Sequence, residues 1–205
     1  MAQITTGVRA LLSHPYVYDL FQTIMGARKG RTEFATRFVQ AHAGDRIVDI
    51  GCGTGDLLAY LPDVDYTGYD ISEHYIEAAR KRFGSRGAFH CRLLTSDELS
   101  TVEPFDIALA VGLLHHLDDD EARGFIQMTK RALKPGGRLI TIDPCFADGQ
   151  NPIARWLVRA DRGQNVRDRD GYISLVADTF SQVHATVAHR SWIPYTHCIL
   201  VCTSA

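Results

Sequence analysis

Between residues 46 and 143 the chain alternates short, nearly continuous apolar runs with stretches in which apolar residues recur every three or four positions. Runs of the first kind read as strands buried on both faces, and the second kind as amphipathic helices. The runs predict strands at Arg46–Ile50, Asp65–Asp70, 88–93, Phe105–Val111 and 138–143. Asp56–Tyr60 belongs to the first connecting helix. Ser72 can cap the next, where Ile71, Tyr75, Ala79 and Phe83 share a face. A helix over 119–133 has Asp119, Asp120 and Glu121 in its first turn and Lys130, Arg131 and Lys134 near its end, which suits the helix dipole. Pro135-Gly136-Gly137 stops it. Units alternating at this length form a parallel sheet with helices on both faces.

The flanks break the alternation. Residues 1–44 look helical, with one stripe of Tyr18, Phe21, Ile24 and Met25 and another of Phe34, Phe38, Val39 and Ala41. Beyond 145, Asn151-Pro152 starts a short helix carrying Ile153, Trp156, Leu157 and Ala160, and a polar stretch, 161–171, follows. Runs at 182–188 and 197–202 leave no room for a crossover helix, so they should pair antiparallel at the sheet edge. The expected fold is α/β: a doubly wound, mostly parallel seven-stranded sheet with an antiparallel C-terminal edge strand and an N-terminal helical lid. All of it is one domain: lid 1–44, cofactor-binding core 45–145, and acceptor-site insertion with the C-terminal strands 146–205.

Composition narrows the setting. The 205 residues are 45% hydrophobic and 22% charged, with a formal net charge of −2. That suits a soluble domain and gives no electrostatic reason to expect nucleic acid. No apolar run approaches the roughly 20 residues of a membrane span, and the N-terminus lacks the basic start and apolar block of a signal peptide. Cys52, Cys91, Cys145, Cys198 and Cys202 form no CxxC pair and read as reduced thiols in a cytoplasmic protein. A monomer or homodimer is expected, without nucleic-acid or membrane partners.

One junction carries the candidate chemistry. The first strand runs into Gly51-Cys52-Gly53-Thr54-Gly55, with glycines at alternate positions. Their missing side chains let a ligand lie against the backbone, and a turn into a helix aims N–H groups at it. Asp70 ends the second strand at the same edge, where an acid accepts hydrogen bonds from two ribose hydroxyls. Asp49 lies just inside the turn, placed to orient it or to face a cationic group. The rival reading is a nicotinamide dinucleotide site, whose fingerprint is G-x-G-x-x-G with a pyrophosphate at the helix start. Here the spacing is G-x-G-x-G and Asp56 follows, an acid that would repel a pyrophosphate. A phosphate-free ligand with a positive centre fits better.

Four segments stand in order: VDIGCGTG (48–55), YTGYDIS (66–72), FDIALAVGLLHHLDD (105–119) and LKPGGRLITIDP (133–144). Together they resemble the class I S-adenosylmethionine-dependent methyltransferases over about half the chain. The resemblance implies S-adenosylmethionine as cofactor, with the backbone of Gly51, Cys52 and Gly53, and Gly55 beyond them, along its methionine part. It implies Asp49 facing the amino group, Asp70 on the ribose, Ile71 beside the adenine, and Gly112 and Leu113 near the sulfonium. Where the family often has Gly-Asp after the third strand, this chain has Arg92-Leu93. The adenine amine is then left to a carbonyl near Leu93 or Leu94, or to Ser96 or Asp97. Tyr18 and Arg31, with Tyr16 and Arg28, would belong to the lid, an arginine meeting the cofactor carboxylate.

Methyl transfer from a sulfonium is an in-line displacement on an activated donor. The protein aligns the acceptor and excludes water, and a base is needed only if the acceptor loses a proton as it attacks. His115 and His116 follow the fourth strand at the carboxyl edge, where open α/β sheets bind ligands. They are the candidate bases, His116 ahead of His115, against a packing role for at least one. Asp143, ending the fifth strand, is a candidate acceptor ligand or a turn acid before Pro144. No metal site is expected, because the acids at 118–120 read as a helix start.

From 155 to 170 five arginines (Arg155, Arg159, Arg162, Arg167, Arg169) face three aspartates (Asp161, Asp168, Asp170). Arg162 and Arg167, flanking 163–166, suggest an acidic or polar acceptor. The alternative is a solvated loop with internal Arg–Asp pairs. Trp156 and Tyr195, with Tyr172, Trp192 and His197, supply pocket walls or core. The expected activity is methyl transfer to a small molecule, at oxygen first and at nitrogen as the neighbouring alternative. A protein that holds the cofactor without catalysis is the reading of another class.

Overall fold

In a computed structural model, the described residues are 27–161, 163–189 and 195–205. Tyr16, Tyr18, Arg162 and Trp192 lie outside them. The apolar runs fold as β1 (Arg46–Ile50), β2 (Asp65–Asp70), β3 (Gly87–Cys91), β4 (Phe105–Val111) and β5 (Leu133–Phe146). A two-residue β6 (Arg167–Asp168) pairs with β5, and β7 (Gln182–His189) and β8 (Thr196–Thr203) complete the sheet. The order is β3-β2-β1-β4-β5-β8-β7. β1 to β5 pair parallel, and β8 runs antiparallel to both β5 and β7.

The antiparallel strand thus lies one place in from the edge, and side-chain burial explains it. Cys198, Ile199, Leu200 and Cys202 of β8 are all buried, whereas Val183, Ala185 and Val187 of β7 are only partly covered. A strand buried on both faces belongs inside a sheet, and a half-covered one at its rim. At the centre, successive residues feed opposite cores. Ile47, Ile107 and Ile140 join Leu58, Tyr66 and Ile76 on one face. Val48, Ala108 and Leu139 join Ile126, Leu175 and Phe180 on the other.

The helices that cover these faces are capped by their own sequence. α1 (Ala27–Phe34) continues into a π-helical turn, Ala35–Val39, which ends at Gln40 in the left-handed region. α2 (Glu73–Phe83) starts at Ser72, whose side chain accepts from the Tyr75 amide. α3 is Ser96–Thr101. α4 (Asp119–Ala132) opens on a capping box between Asp118 and Glu121. α5 (Pro152–Arg159) is capped by Asn151, and α6 (Arg169–Val176) by Asp168.

Several expected boundaries shift for local reasons. The segment after Gly55 is a 3-10 helix, Asp56–Tyr60, rather than an α-helical start. β3 ends at Cys91, and Arg92 turns out to an ion pair with Glu98. β5 begins at Leu133, which pairs with Phe105 before the register shifts, so Pro135-Gly136-Gly137 is an irregularity within the strand. α6 emerges from the expected polar stretch. Its Tyr172, Leu175 and Val176 recur at helical spacing behind Arg169-Asp170-Gly171.

α4 is held by Ala122, Ile126, Thr129 and Ala132 on its buried face. Ile126 is fully buried, so Ile126→Ala should cost about 2–5 kcal/mol in urea unfolding. A loss well under 1 kcal/mol would show that this helix does not pack on the sheet.

Candidate active site

The carboxyl ends of the parallel strands share one edge, and the glycine turn sits on it. Gly51 and Gly53 have φ of 78° and 54°, values at which a side chain is strained. The turn is braced from β2. Both the Gly51 and Cys52 amides donate to the Tyr69 carbonyl, and the Gly53 amide donates to Asp70 Oδ2 at 2.9 Å. The Gly55 amide donates to the Cys52 carbonyl. These four donors are therefore already used. A pyrophosphate would find none of the four available.

What the turn offers is space. A Cβ on Gly53 would meet nothing within 4 Å, and one on Gly51 would touch only Leu113, at 3.5 Å. Gly55 differs: its Cβ would stand 2.9 Å from the Phe89 ring. Its α-carbon packs the turn onto β3. Gly112 N–H donates to the Ile142 carbonyl, which holds the loop carrying Leu113 beside Gly51.

Acids line this edge. Asp70 Oδ1 accepts from the Ser72 amide at 2.8 Å, so its carboxylate ties the glycine turn to the start of α2. Each oxygen retains a second lone pair for a diol. Ile71 and Leu93 are 59% and 61% exposed, apolar surfaces just beyond β2 and β3. Leu94 is buried in the core, which leaves only its backbone for a ligand. Asp49 is 2% exposed, and Tyr66 donates to its Oδ2 at 2.7 Å. Its Oδ1 has no hydrogen-bond partner among the described residues. Burial pushes Asp49 up to about 7, opposed by the Tyr66 hydrogen bond and assisted by the Asp70 charge. Burial, with both acids, also pushes up the Cys52 thiol, which makes it a space-filler rather than a nucleophile.

These features suit a ligand with an ammonium, a diol and no phosphate. Asp49 Oδ1 is a buried acceptor without a donor, which a cation would satisfy. Arg31 is placed otherwise than expected. It pairs with Asp56 at 2.8 Å, and Arg82 also pairs with Asp56, so it ties α1 to the glycine turn.

His115, on the other side of the edge, is 5% exposed between two carboxylates. Its Nδ1 lies 2.8 Å from Asp143 Oδ1 and its Nε2 3.2 Å from Asp161 Oδ1. Burial alone would lower an imidazole, but the hydrogen bonds to Asp143 and Asp161 outweigh it and hold His115 up to about 9. Asp161 is held well below the usual carboxylate range; burial opposes this, and His115, the Gly163 amide and Tyr195 overcome it. Tyr195 donates to Asp161 Oδ2. A Cβ on Gly163 would stand 2.0 Å from the His115 ring, and the Asn165 amide donates to the His115 carbonyl.

His115 and Asp143 are therefore a clamp, with no ring lone pair left for a base. That counts against His115 as the base, whereas Asp143, 1% exposed, keeps Oδ2 without a hydrogen-bond partner among the described residues. His116 stands beside it, half-buried, its ring centroid 4.1 Å from that of His115. Arg167 is also corrected. Its five N–H donors go to Asp119 and to the carbonyls of Leu114, Leu117 and Asn165, so it staples its loop to the one after β4. Trp156 is 60% exposed on α5. Among the described residues no group of three His, Cys, Asp or Glu side chains could hold a metal ion.

Asp161 and Tyr66 were not singled out from the sequence. Asp161 meets His115 only through the long excursion of α5, and Tyr66 is an apolar-looking strand residue. Only Tyr66's place opposite Ile47, one strand from Asp49, hinted at a partner.

Residues 48–139 match a family model described as a methyltransferase domain. The chain is 33% identical over 135 residues to the ubiquinone/menaquinone biosynthesis C-methyltransferase of Desulfotalea psychrophila, covering 62% of this chain and 53% of that protein. It is 34% identical to the 27-O-demethylrifamycin SV methyltransferase of Amycolatopsis mediterranei, covering 62% and 49%. The solved pyocyanin biosynthetic protein PhzM shares the fold, with a TM-score of 0.69 at 19% identity over 97% of this chain and 61% of that one. The chain thus spans about half the length of the curated relatives it matches. Over residues 48–139, somewhat under half of its length, it is similar to methyltransferase domains, and its fold is shared with PhzM.

The clamp has a pH signature. His115 is raised in the fold, so its contribution to stability is complete below about 6.5 and lost as pH rises through about 9. Asp161 is depressed, so its contribution is complete above about 4 and lost in acid. His115→Gln should destabilise the chain at pH 7 and flatten the fall in urea midpoint between about 6.5 and 9. An unchanged alkaline profile in that variant would assign the titration to another group.

Proposed function

We propose that this chain transfers a methyl group from S-adenosylmethionine to an oxygen of a small-molecule acceptor. The observation that carries the reading is the braced glycine turn with its occupied amides, an orphaned buried carboxylate oxygen at Asp49 and a diol-ready carboxylate at Asp70. The cofactor, when bound, supplies a methyl group already activated by its sulfonium charge. Asp49 and the backbone of Gly51, Cys52 and Gly53 hold its methionine part. Asp70 takes the ribose, Ile71 and Leu93 flank the base, and Gly112 and Leu113 border the reacting end.

Oxygen as the acceptor atom draws support from relatives such as the rifamycin-series enzyme, whose name specifies an O-demethylated substrate. An acceptor hydroxyl must lose its proton as it attacks, and His116 Nδ1 or Nε2 takes it. The loop after α5, latched through Asp161, excludes water from the edge. Arg167 is engaged internally and lends no weight to an acidic acceptor, so a neutral hydroxylated one is the better fit. Trp156 and Tyr195 supply walls for it. The domain division, a monomeric or homodimeric state and a cytoplasmic location complete the reading. It accords with the small net charge and with described helices none of which is long and apolar enough to cross a membrane.

Incubation with labelled S-adenosylmethionine and panels of hydroxylated, amine and carbon-acid acceptors tests the reaction. Label should move to a hydroxyl oxygen. Transfer only to nitrogen or carbon would overturn the oxygen assignment, and cofactor binding without transfer to any acceptor would favour the non-catalytic reading. Asp70→Ala should weaken S-adenosylhomocysteine binding by about 1–3 kcal/mol in calorimetry. An unchanged affinity would contradict the ribose role.

A further inference from the structure

Asp49 is an unusual group to find empty-handed at the base of a binding site. It is 2% exposed, one oxygen is fixed by Tyr66, and the other has no hydrogen-bond partner among the described residues. The groups that face it are Tyr66 and Asp70 from β2 and Cys52 from the glycine turn. Among the described residues these three include no cation, and each of them can carry only a negative charge. A carboxylate in such a place is costly to keep ionised without a counter-charge.

We infer that Asp49, set by Tyr66, is the specificity-determining acid of the pocket: it holds a proton in the ligand-free protein and gives it up when an α-ammonium docks on Oδ1. The inference rests on the cofactor reading above and adds to it a proton exchange. The balance is simple. The Asp49 O–H bond breaks, its electron pair stays on the carboxylate, and the proton leaves to solvent. The ligand's ammonium keeps its own three protons and supplies the counter-charge. The lift of Asp49 to about 7 by burial puts this exchange in the neutral range. Tyr66 works in the opposite direction, since its hydrogen bond favours the ionised form.

Selectivity follows. A ligand with adenosine and thioether but no amino-acid end gives Asp49 nothing to pair with and no reason to lose the proton. One with the α-ammonium gains a buried ion pair, but only from the ionised fraction of the protein. Its apparent dissociation constant is therefore the intrinsic one divided by that fraction.

Calorimetry of the purified chain with S-adenosylhomocysteine and with 5′-methylthioadenosine, from pH 5.5 to 8.0 in two buffers of different protonation heat, tests this. S-adenosylhomocysteine should bind roughly thirtyfold more weakly at pH 5.5 than at 8.0. It should release close to one proton per site at the acid end and almost none at pH 8.0. The affinity of 5′-methylthioadenosine should stay flat. Asp49→Asn should abolish the slope for S-adenosylhomocysteine, and Tyr66→Phe should move its midpoint to higher pH. Binding of S-adenosylhomocysteine that is pH-independent and proton-neutral would overturn the exchange and leave the cofactor reading standing. Parallel slopes for both ligands would assign the titration to a group shared by them and also overturn it. No binding of either ligand at any pH would overturn the cofactor reading itself.

Discussion

The site depends on one junction: the end of β2 holding the turn that leaves β1. The Tyr69 carbonyl takes two amides of that turn and Asp70 takes a third. Because β1 and β2 are adjacent parallel strands in register from Arg46 with Asp65 to Ile50 with Tyr69, the two ends arrive side by side. Three glycines can then follow a path that side chains would resist, and the backbone is left bare without being left polar. The amides of Gly51, Cys52, Gly53 and Gly55 are consumed internally, so what these residues present is shape, beside carboxylate charge. That separates this turn from one that cradles phosphate through unpaired amides.

The second half of the edge is organised differently. Strand ends cannot by themselves fix loops as long as the one after α5, and here a buried charged cluster does it. Asp143 comes from β5, His115 from the loop after β4, Asp161 from the end of α5 and Tyr195 from the approach to β8. A buried imidazolium between two carboxylates is stable only because each of its N–H groups is matched. Gly163 allows the close approach, and Arg167 adds a second staple through three carbonyls and Asp119. The residues with the strongest ionic partners therefore fix the loops on this side of the edge, with His116 packed beside them.

Much of the fold was legible because its signals are local. The central strands announce themselves as apolar runs, and β1, β2 and β4 fall at the expected residues. Caps at Ser72, Asp118 and Asn151 act where short polar side chains precede helical patterns. The strand exchange at the rim was not legible in detail, because both C-terminal runs look alike until neighbours decide which is covered twice. α6 was hidden for a related reason: its first turn is polar, and its apolar residues matter only once β7 lies against them. In the site, the acids and glycines of the turn could be read from order and spacing, whereas Gly55's packing on Phe89 could not. His115 looked like a base because a histidine at a strand end usually has an accessible ring. Its two carboxylates come from positions 28 and 46 residues further along the chain, and no local pattern records such a meeting.

A crystal structure of the chain with S-adenosylhomocysteine bound addresses the central claim most directly. The account predicts the amino-acid end lying along Gly51 to Gly53 with its nitrogen on Asp49 Oδ1, the ribose diol on Asp70, and the sulfur near Leu113. A ligand with its amino group away from Asp49, or with its diol held by residues other than Asp70, would contradict it.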